Sequence, residues 1–135
     1  MWQKAHALVL EVYKIPKEFP KQEMFGLVSQ LRRSSSSITT NIVEGQLRKT
    51  TKEYLQFLYN SRGSLEETGY HFLLAKDLGY IDNIEYIFIE NRYEEVSKML
   101  NALIKRIKGL KEGISGKYSG LRDMNSKGRY NNVCK

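Results

Sequence analysis

The sequence predicts an all-α protein, folded as an antiparallel up-down bundle of four helices. Apolar residues recur at three- and four-residue steps along most of the 135 residues, and only two prolines interrupt the chain, both in one short stretch. A chain of this length can bury the core of one domain. We therefore expect a bundle over residues 1–113, followed by a disordered tail over residues 114–135.

The first two predicted helices flank the pair of prolines. The first carries an apolar stripe that ends at Ile15, and the second resumes after Pro20 and runs to about Gly45. The second helix contains seven hydroxyl or β-branched residues in succession, at 34–40, and the hydroxyls among them compete for backbone hydrogen bonds. Close packing against another helix, within the subunit or between subunits, must therefore stabilise this segment.

Capping motifs mark the beginnings of the third and fourth helices. Thr50 and Glu53 form a capping box, and Asp82 and Glu85 repeat the pattern further along the chain. Between them, Gly79 predicts a left-handed stop for the third helix. The third helix should span about seven turns and the fourth roughly 30 residues, or about 45 Å.

The fourth helix has the most regular periodicity in the chain. Its apolar residues alternate at three- and four-residue steps: Tyr86, Ile89, Tyr93, Val96, Leu100, Leu103, Ile107, Leu110 and Ile114. This repeat is typical of helices that pack in left-handed bundles. A second apolar set lies beside it: Ile84, Ile87, Phe88, Met99 and Ile104. Because a single bundle interface does not readily cover both sets, we expect a homo-oligomer.

The chain is basic, with 22 Lys and Arg against 15 Asp and Glu, a net charge of +7 and a pI near 9.5. Nucleic acid, RNA or DNA, is the commonest partner of such a protein, and an ordinary soluble helical protein with a cationic bias is the alternative. The tail holds five cations and one anion. It suits phosphate contact, or serves as a solubilising extension.

Three groups of cations are the candidates for nucleic-acid binding. Arg32 and Arg33 precede the hydroxyl run, and the other two groups follow helix two and close helix four. In an up-down bundle these other two groups come to the same end of the molecule. The alternative is that cations near a helix C-terminus only complement its dipole. The two groups are Arg48, Lys49 and Lys52, and then Lys105, Arg106, Lys108 and Lys111.

The residue types give no support to an enzyme, a metal site or a cofactor site. Ferritin-like di-metal bundles need Glu-x-x-His pairs, whereas Glu67 precedes His71 by four positions and His6 has no such partner. The single cysteine, Cys134, rules out an intrachain disulfide and fits a reducing compartment. No apolar run approaches the roughly 20 residues of a membrane span. We expect a cytoplasmic protein without membrane contact.

Short motifs along residues 1–113 carry a resemblance to a known family. Among them are Trp2-Gln3-Lys4-Ala5, Phe19-Pro20-Lys21, Gln30-Leu31-Arg32-Arg33, Glu44-Gly45, Gly63-Ser64-Leu65-Glu66-Glu67 and Leu78-Gly79-Tyr80-Ile81. With them the chain resembles the four-helix-bundle proteins encoded within intervening sequences of bacterial 23S rRNA genes. The accessory variability protein (Avd) of diversity-generating retroelements shares that superfamily. The family usually has a proline where this chain has Thr39.

The resemblance implies a homopentameric ring of bundles that is basic, non-enzymatic and able to bind nucleic acid. For the retroelement branch it also implies docking onto a reverse transcriptase and its template RNA. A purely structural scaffold, whose partner is another protein, is the remaining alternative. The resemblance supplies no catalytic residue.

Overall fold

The computed structural model describes residues 2–115, apart from the side chains of residues 16 and 111–115, and this part of the chain contains four α-helices. No strand occurs among these residues. Helix α1 contacts α2 and α4, and α3 contacts the same two helices, so the four helices form a bundle as predicted. The helices are α1 (Gln3–Lys14), α2 (Leu27–Gln46), α3 (Thr51–Asp77) and α4 (Asn83–Ser115), and short 3-10 turns at Ile15–Glu18 and Lys21–Glu23 join α1 to α2.

The helix ends follow the predicted capping motifs. The Thr50 hydroxyl accepts a hydrogen bond from the amide of Glu53 at 3.1 Å, and the Asp82 carboxylate accepts one from the amide of Glu85 at 2.8 Å. Gly79 has a φ of 81°, which glycine adopts without steric cost. Helix α4 continues to Ser115, two residues beyond its predicted end. The rest of the predicted tail, with Cys134, lies outside the described residues.

The core side of α4 follows the predicted repeat for most of its length and departs from it near the C-terminus. Ile89, Val96, Leu100, Leu103 and Ile107 are buried, as expected. At the C-terminal end Leu110 is 59% exposed, whereas Ile104 and Lys108 are buried. A straight α-helix drifts by about 20° per heptad against a 3.5-residue repeat. Over three heptads the drift brings neighbouring positions onto the core side.

The hydroxyl run of α2 packs against α3 within the subunit. The hydroxyls of Ser34 and Thr68 are hydrogen-bonded at 2.8 Å, and both side chains are fully buried. Ser61 of α3 donates to the backbone carbonyl of Ile38 at 2.8 Å. At Gly45, an added Cβ would lie 2.9 Å from the Cβ of Phe57, so the two backbones are close there too. The packing that stabilises this segment is therefore the α2–α3 interface.

The outer side of the same run faces away from this interface. Ser36, Thr39 and Thr40 are half-buried or exposed, and Val43 is exposed. Phe25, at the start of this stripe, is 94% exposed. A stripe of small residues along α2 is thus left on the surface of the subunit.

Candidate nucleic-acid interface

The turn between α2 and α3 carries three exposed cations, Arg48, Lys49 and Lys52. Arg48 is held in place, because its Nε donates to the carbonyl of Glu44 at 3.3 Å and its guanidinium lies 4.7 Å from the ring centre of Phe57. Lys49 and Lys52 project from the turn and from the first turn of α3. The group therefore combines one anchored guanidinium with two exposed ammonium groups.

The second group lies on the last turns of α4. Lys105 and Arg106 are exposed, whereas Lys108 is buried with its Nζ 5.2 Å from the ring centre of Tyr59. Arg62 lies at the same distance from that ring. Lys108 therefore takes part in the packing of α3 against α4, which sequence periodicity did not predict. Lys111 follows one turn later, where side chains are not described.

These two groups lie at the same end of the bundle. Helix α4 runs antiparallel to α3: Lys76 packs on Tyr86 near one end of the pair, and Tyr59 packs on Lys108 near the other. The first turn of α3 is therefore level with the last turn of α4, and Lys105 and Arg106 lie about two turns, or roughly 12 Å, further along, level with Tyr59 and Arg62. We call the exposed members of these groups the basic end: Arg48, Lys49, Lys52, Lys105 and Arg106.

The third predicted group, Arg32 and Arg33, does not join the basic end. It lies 15 or more residues before Arg48 along α2, which corresponds to about 22 Å. Arg33 donates hydrogen bonds to Glu67 of α3 and to Gln30, so its positive charge is already neutralised by a carboxylate. The guanidinium of Arg32 lies 4.8 Å from the ring centre of Tyr13, and its buried Nε has no hydrogen-bond partner.

Charge is divided along α4. Residues 82–95 contain five carboxylates and one arginine, whereas residues 96–111 contain five cations and no carboxylate. Such a division complements the helix dipole, which explains part of the second group without any ligand. The dipole does not explain Lys52, because this cation lies in the first turn of α3, where positive charge is disfavoured. The basic end thus gathers more cations than helix stability requires.

The sequence prediction left out Lys4, which is exposed in the first turn of α1. Because α1 is antiparallel to α2 and its Tyr13 lies beside Arg32, the first turn of α1 points toward the basic end. The order of the helices in an up-down bundle could have indicated this placement.

No group of three or more His, Cys, Asp or Glu side chains in the described part of the chain is arranged to hold a metal ion. Within the same part, every helix is too short or too polar to cross a lipid bilayer.

The fold and the basic end define an all-α, four-helix-bundle protein with one cationic pole. The chain belongs to the family of 23S rRNA-intervening sequence proteins, whose family model matches residues 1–102. Among curated proteins, none matches the chain. A solved structure similar to this one is a protein of unknown function from the S23 ribosomal protein family of Bacteroides thetaiotaomicron. It is 26% identical, with a TM-score of 0.70 over 77% of this chain and 97% of the other.

Proposed function

We propose that the chain is a non-enzymatic, cytoplasmic protein that binds nucleic acid, with RNA as the first candidate, through the basic end. The observation that carries this proposal is the convergence of two cationic groups from distant parts of the sequence. Five exposed cations lie there, and Lys52 lies where it opposes the dipole of its own helix. A bound phosphate would offset the unfavourable charge of Lys52 at the helix N-terminus, because helix N-termini and ammonium groups both attract anions.

Binding through these cations depends on phosphates more than on bases. Among the described residues, the aromatic side chain that contacts a cation of the basic end is Phe57, and it is half-buried beneath Arg48, where bases cannot stack on it. We expect weak sequence preference and strong dependence on salt. If five phosphates are neutralised, the slope of log K against log salt should be about −4.

The test compares two triple variants that remove the same amount of charge. One is Arg48→Ala, Lys49→Ala and Lys52→Ala at the basic end. The matched control is Lys14→Ala, Lys17→Ala and Lys21→Ala, which removes three exposed cations from the opposite end. Fluorescence anisotropy with a labelled single-stranded RNA, measured over a salt series, gives the affinity and the slope for each.

The first variant should lose most of its affinity at moderate salt, and its slope should fall by about 2 to 3 units. The control should bind like the unmodified protein. Equal losses in both variants would show that only net charge matters, and would remove the basic end as the site. Absence of binding by the unmodified protein at low salt would overturn the proposal and favour a scaffold that binds protein.

We further propose that the protein assembles as a homo-oligomer, in line with the pentamer that the resemblance implies. Large apolar side chains remain on the subunit surface: Ile84, Ile87 and Phe88 are 81%, 56% and 45% exposed. The outer stripe of α2, with Val43, adds small residues that permit close approach. Subunit contacts would bury both surfaces.

Multi-angle light scattering of the full chain tests the assembly. We expect the mass of five subunits, and a lower mass for Ile84→Lys combined with Ile87→Lys. Retained helicity by circular dichroism would show that the double variant is still folded. A monomer in the unmodified protein would overturn this part of the proposal and leave the basic end to be tested alone.

A further inference from the structure

A cavity of about 320 Å³ opens between α3 and α4, in the half of the bundle away from the basic end. Its floor is apolar and includes Leu8, Phe72 and Ile89, which are all buried. A volume near 300 Å³ is at the small end of the range for ligand pockets. The cavity therefore suits a small molecule with an apolar part.

Three tyrosines and three glutamates surround this floor. Tyr70 and Glu66 come from α3, and the other four, Tyr86, Tyr93, Glu90 and Glu94, come from α4. No Lys or Arg is among the residues that line the cavity. The lining thus carries negative charge and aromatic rings around an apolar floor.

Tyr93 links the aromatic and acidic parts of the lining. Burial raises its pKa to about 12, and the charge of Glu66 and a hydrogen bond to that carboxylate add to the effect. The Tyr93 hydroxyl is therefore protonated at neutral pH and donates to Glu66. This bond orients a carboxylate beside the ring, and Gly69 gives the ring room, since an added Cβ there would lie 2.8 Å from Cε2 of Tyr93.

The α3–α4 interface already holds cations against its tyrosines. Lys108 and Arg62 lie on the ring of Tyr59, and Nζ of Lys76 lies 4.6 Å from the ring centre of Tyr86. Attraction between a cation and an aromatic ring strengthens where water is excluded. The half-buried ring of Tyr93 presents the same chemistry inside the cavity, the ring of Tyr70 lines the cavity but is 59% exposed, and the carboxylates add to the attraction.

We propose that this cavity binds a small organic cation: an alkyl ammonium compound whose carbon chain lies on the apolar floor and whose charge is held by the tyrosines and glutamates. The ligand class follows from charge complementarity and from the size of the cavity. The proposal does not depend on nucleic-acid binding, which uses the opposite end of the molecule.

Hexamethylenediamine and hexanediol make a matched pair of probes, because they have the same carbon chain and differ in charge. Each is titrated into the full-length protein, and amide chemical shifts are followed by NMR. The diamine should shift amides of residues 66–73 and 86–94, and the diol should bind at least tenfold more weakly. Equal binding of the two, or shifts confined to other parts of the chain, would overturn the proposal.

Two neighbouring glutamates provide the control for the site. Glu94 lines the cavity, whereas Glu95 is exposed on α4 and does not line it. Glu94→Gln should weaken diamine binding about threefold to fivefold, the range for one exposed ion pair, and Glu95→Gln should leave it nearly unchanged. Equal weakening by both would indicate diffuse attraction to an acidic surface and would overturn the site. The lysine analogue Nα-acetyl-lysine amide serves as a further probe. If it binds more tightly than the diamine, the cavity binds a lysine side chain of a partner protein, and the proposal that its ligand is a free small molecule is overturned.

Discussion

The two sides of α3 contrast in how they meet their neighbours. Toward α2, small residues bring the helices close, and hydroxyls bond across the interface, as between Ser34 and Thr68. Toward α4, large aromatic side chains such as Tyr93 separate the helices, and a cavity lies between them. One helix thus makes a tight interface on one side and a spacious one on the other.

The contrast shows where a bundle of this kind has room for function. In the α2–α3 interface the buried hydroxyls of Ser34, Ser61 and Thr68 all have hydrogen-bond partners inside the protein. In the α3–α4 interface cations pack on the rings of tyrosines, and tyrosines and glutamates line the cavity. Tight packing stabilises the subunit, whereas the aromatic interface supplies both the cavity and the anchoring of Lys108.

The largest effect should come from enlarging a residue in the tight interface. Ser34→Leu inserts a bulky side chain at a fully buried position and removes the partner of Thr68. We expect the free energy of unfolding to fall by about 3 kcal/mol. Urea denaturation measures it. Ser29→Leu, at an exposed position on the same helix, should change it by less than about 0.5 kcal/mol, and equal losses would contradict the contrast.

Two glycine variants compare the interfaces directly. At Gly45 an added Cβ meets the Cβ of Phe57, an atom fixed to its backbone, whereas at Gly69 it meets the movable ring of Tyr93 beside the cavity. Gly45→Ala should destabilise by about 1 kcal/mol despite the better helix propensity of alanine, and Gly69→Ala should destabilise by less, because the ring of Tyr93 can shift toward the cavity whereas the Cβ of Phe57 cannot move without its backbone. Thermal unfolding of both variants measures the difference, and the reverse order would be evidence against it.

Lys108 tests whether a cation contributes to the aromatic interface. Lys108→Ala removes a side chain that is only 7% exposed and packs on Tyr59. We expect a loss of about 1 kcal/mol, whereas the exposed neighbour Lys105→Ala should cost less than about 0.5 kcal/mol. Chemical denaturation of the two variants measures these costs. A similar small cost for both would show that Lys108 packs without stabilising.

The smallest effect at neutral pH belongs to the hydroxyl of Tyr93. Its pKa is raised to about 12 in the folded protein, above the ordinary value of 10.0. The unfolded chain therefore loses this proton first, and the associated stability, complete below pH 10, is lost as the pH rises toward 12. Tyr93→Phe should remove this part of the alkaline decline. Stability measured between pH 9 and 12 tests it, and identical profiles would contradict it.

Sequence patterns predicted the fold well because they reflect local physics. The caps at Thr50 and Asp82 and the left-handed Gly79 occur where expected, since each depends on only a few neighbouring residues. The predicted core side of α4 is confirmed at Ile89, Val96, Leu100, Leu103 and Ile107 and was wrong at Leu110, because the apolar repeat is shorter than the turn of a straight helix and the two drift apart along α4. The side chain of Ile114 lies outside the described residues. The oligomer and the tail remain predictions.

The candidate site was predictable only in part. Grouping the cations required only the order of the helices, because the antiparallel pairing of α3 with α4 brings the turn after α2 and the last turns of α4 to the same end of the bundle. Burial of Lys108 and pairing of Arg33 with Glu67 depend on which residues of two different helices face each other. The cavity between α3 and α4 gave no signal in the sequence, because its lining is spread over three helices.

Propensity and capping act within a few residues of one another, so four helices, their ends and the basic character of the chain could be read from the residues alone. The packing of the α2 hydroxyl run on α3, the choice of cations at the basic end and the cavity among tyrosines and glutamates became visible only in the folded bundle. Those outcomes depend on the register and spacing between helices, and side chains distant in sequence set both.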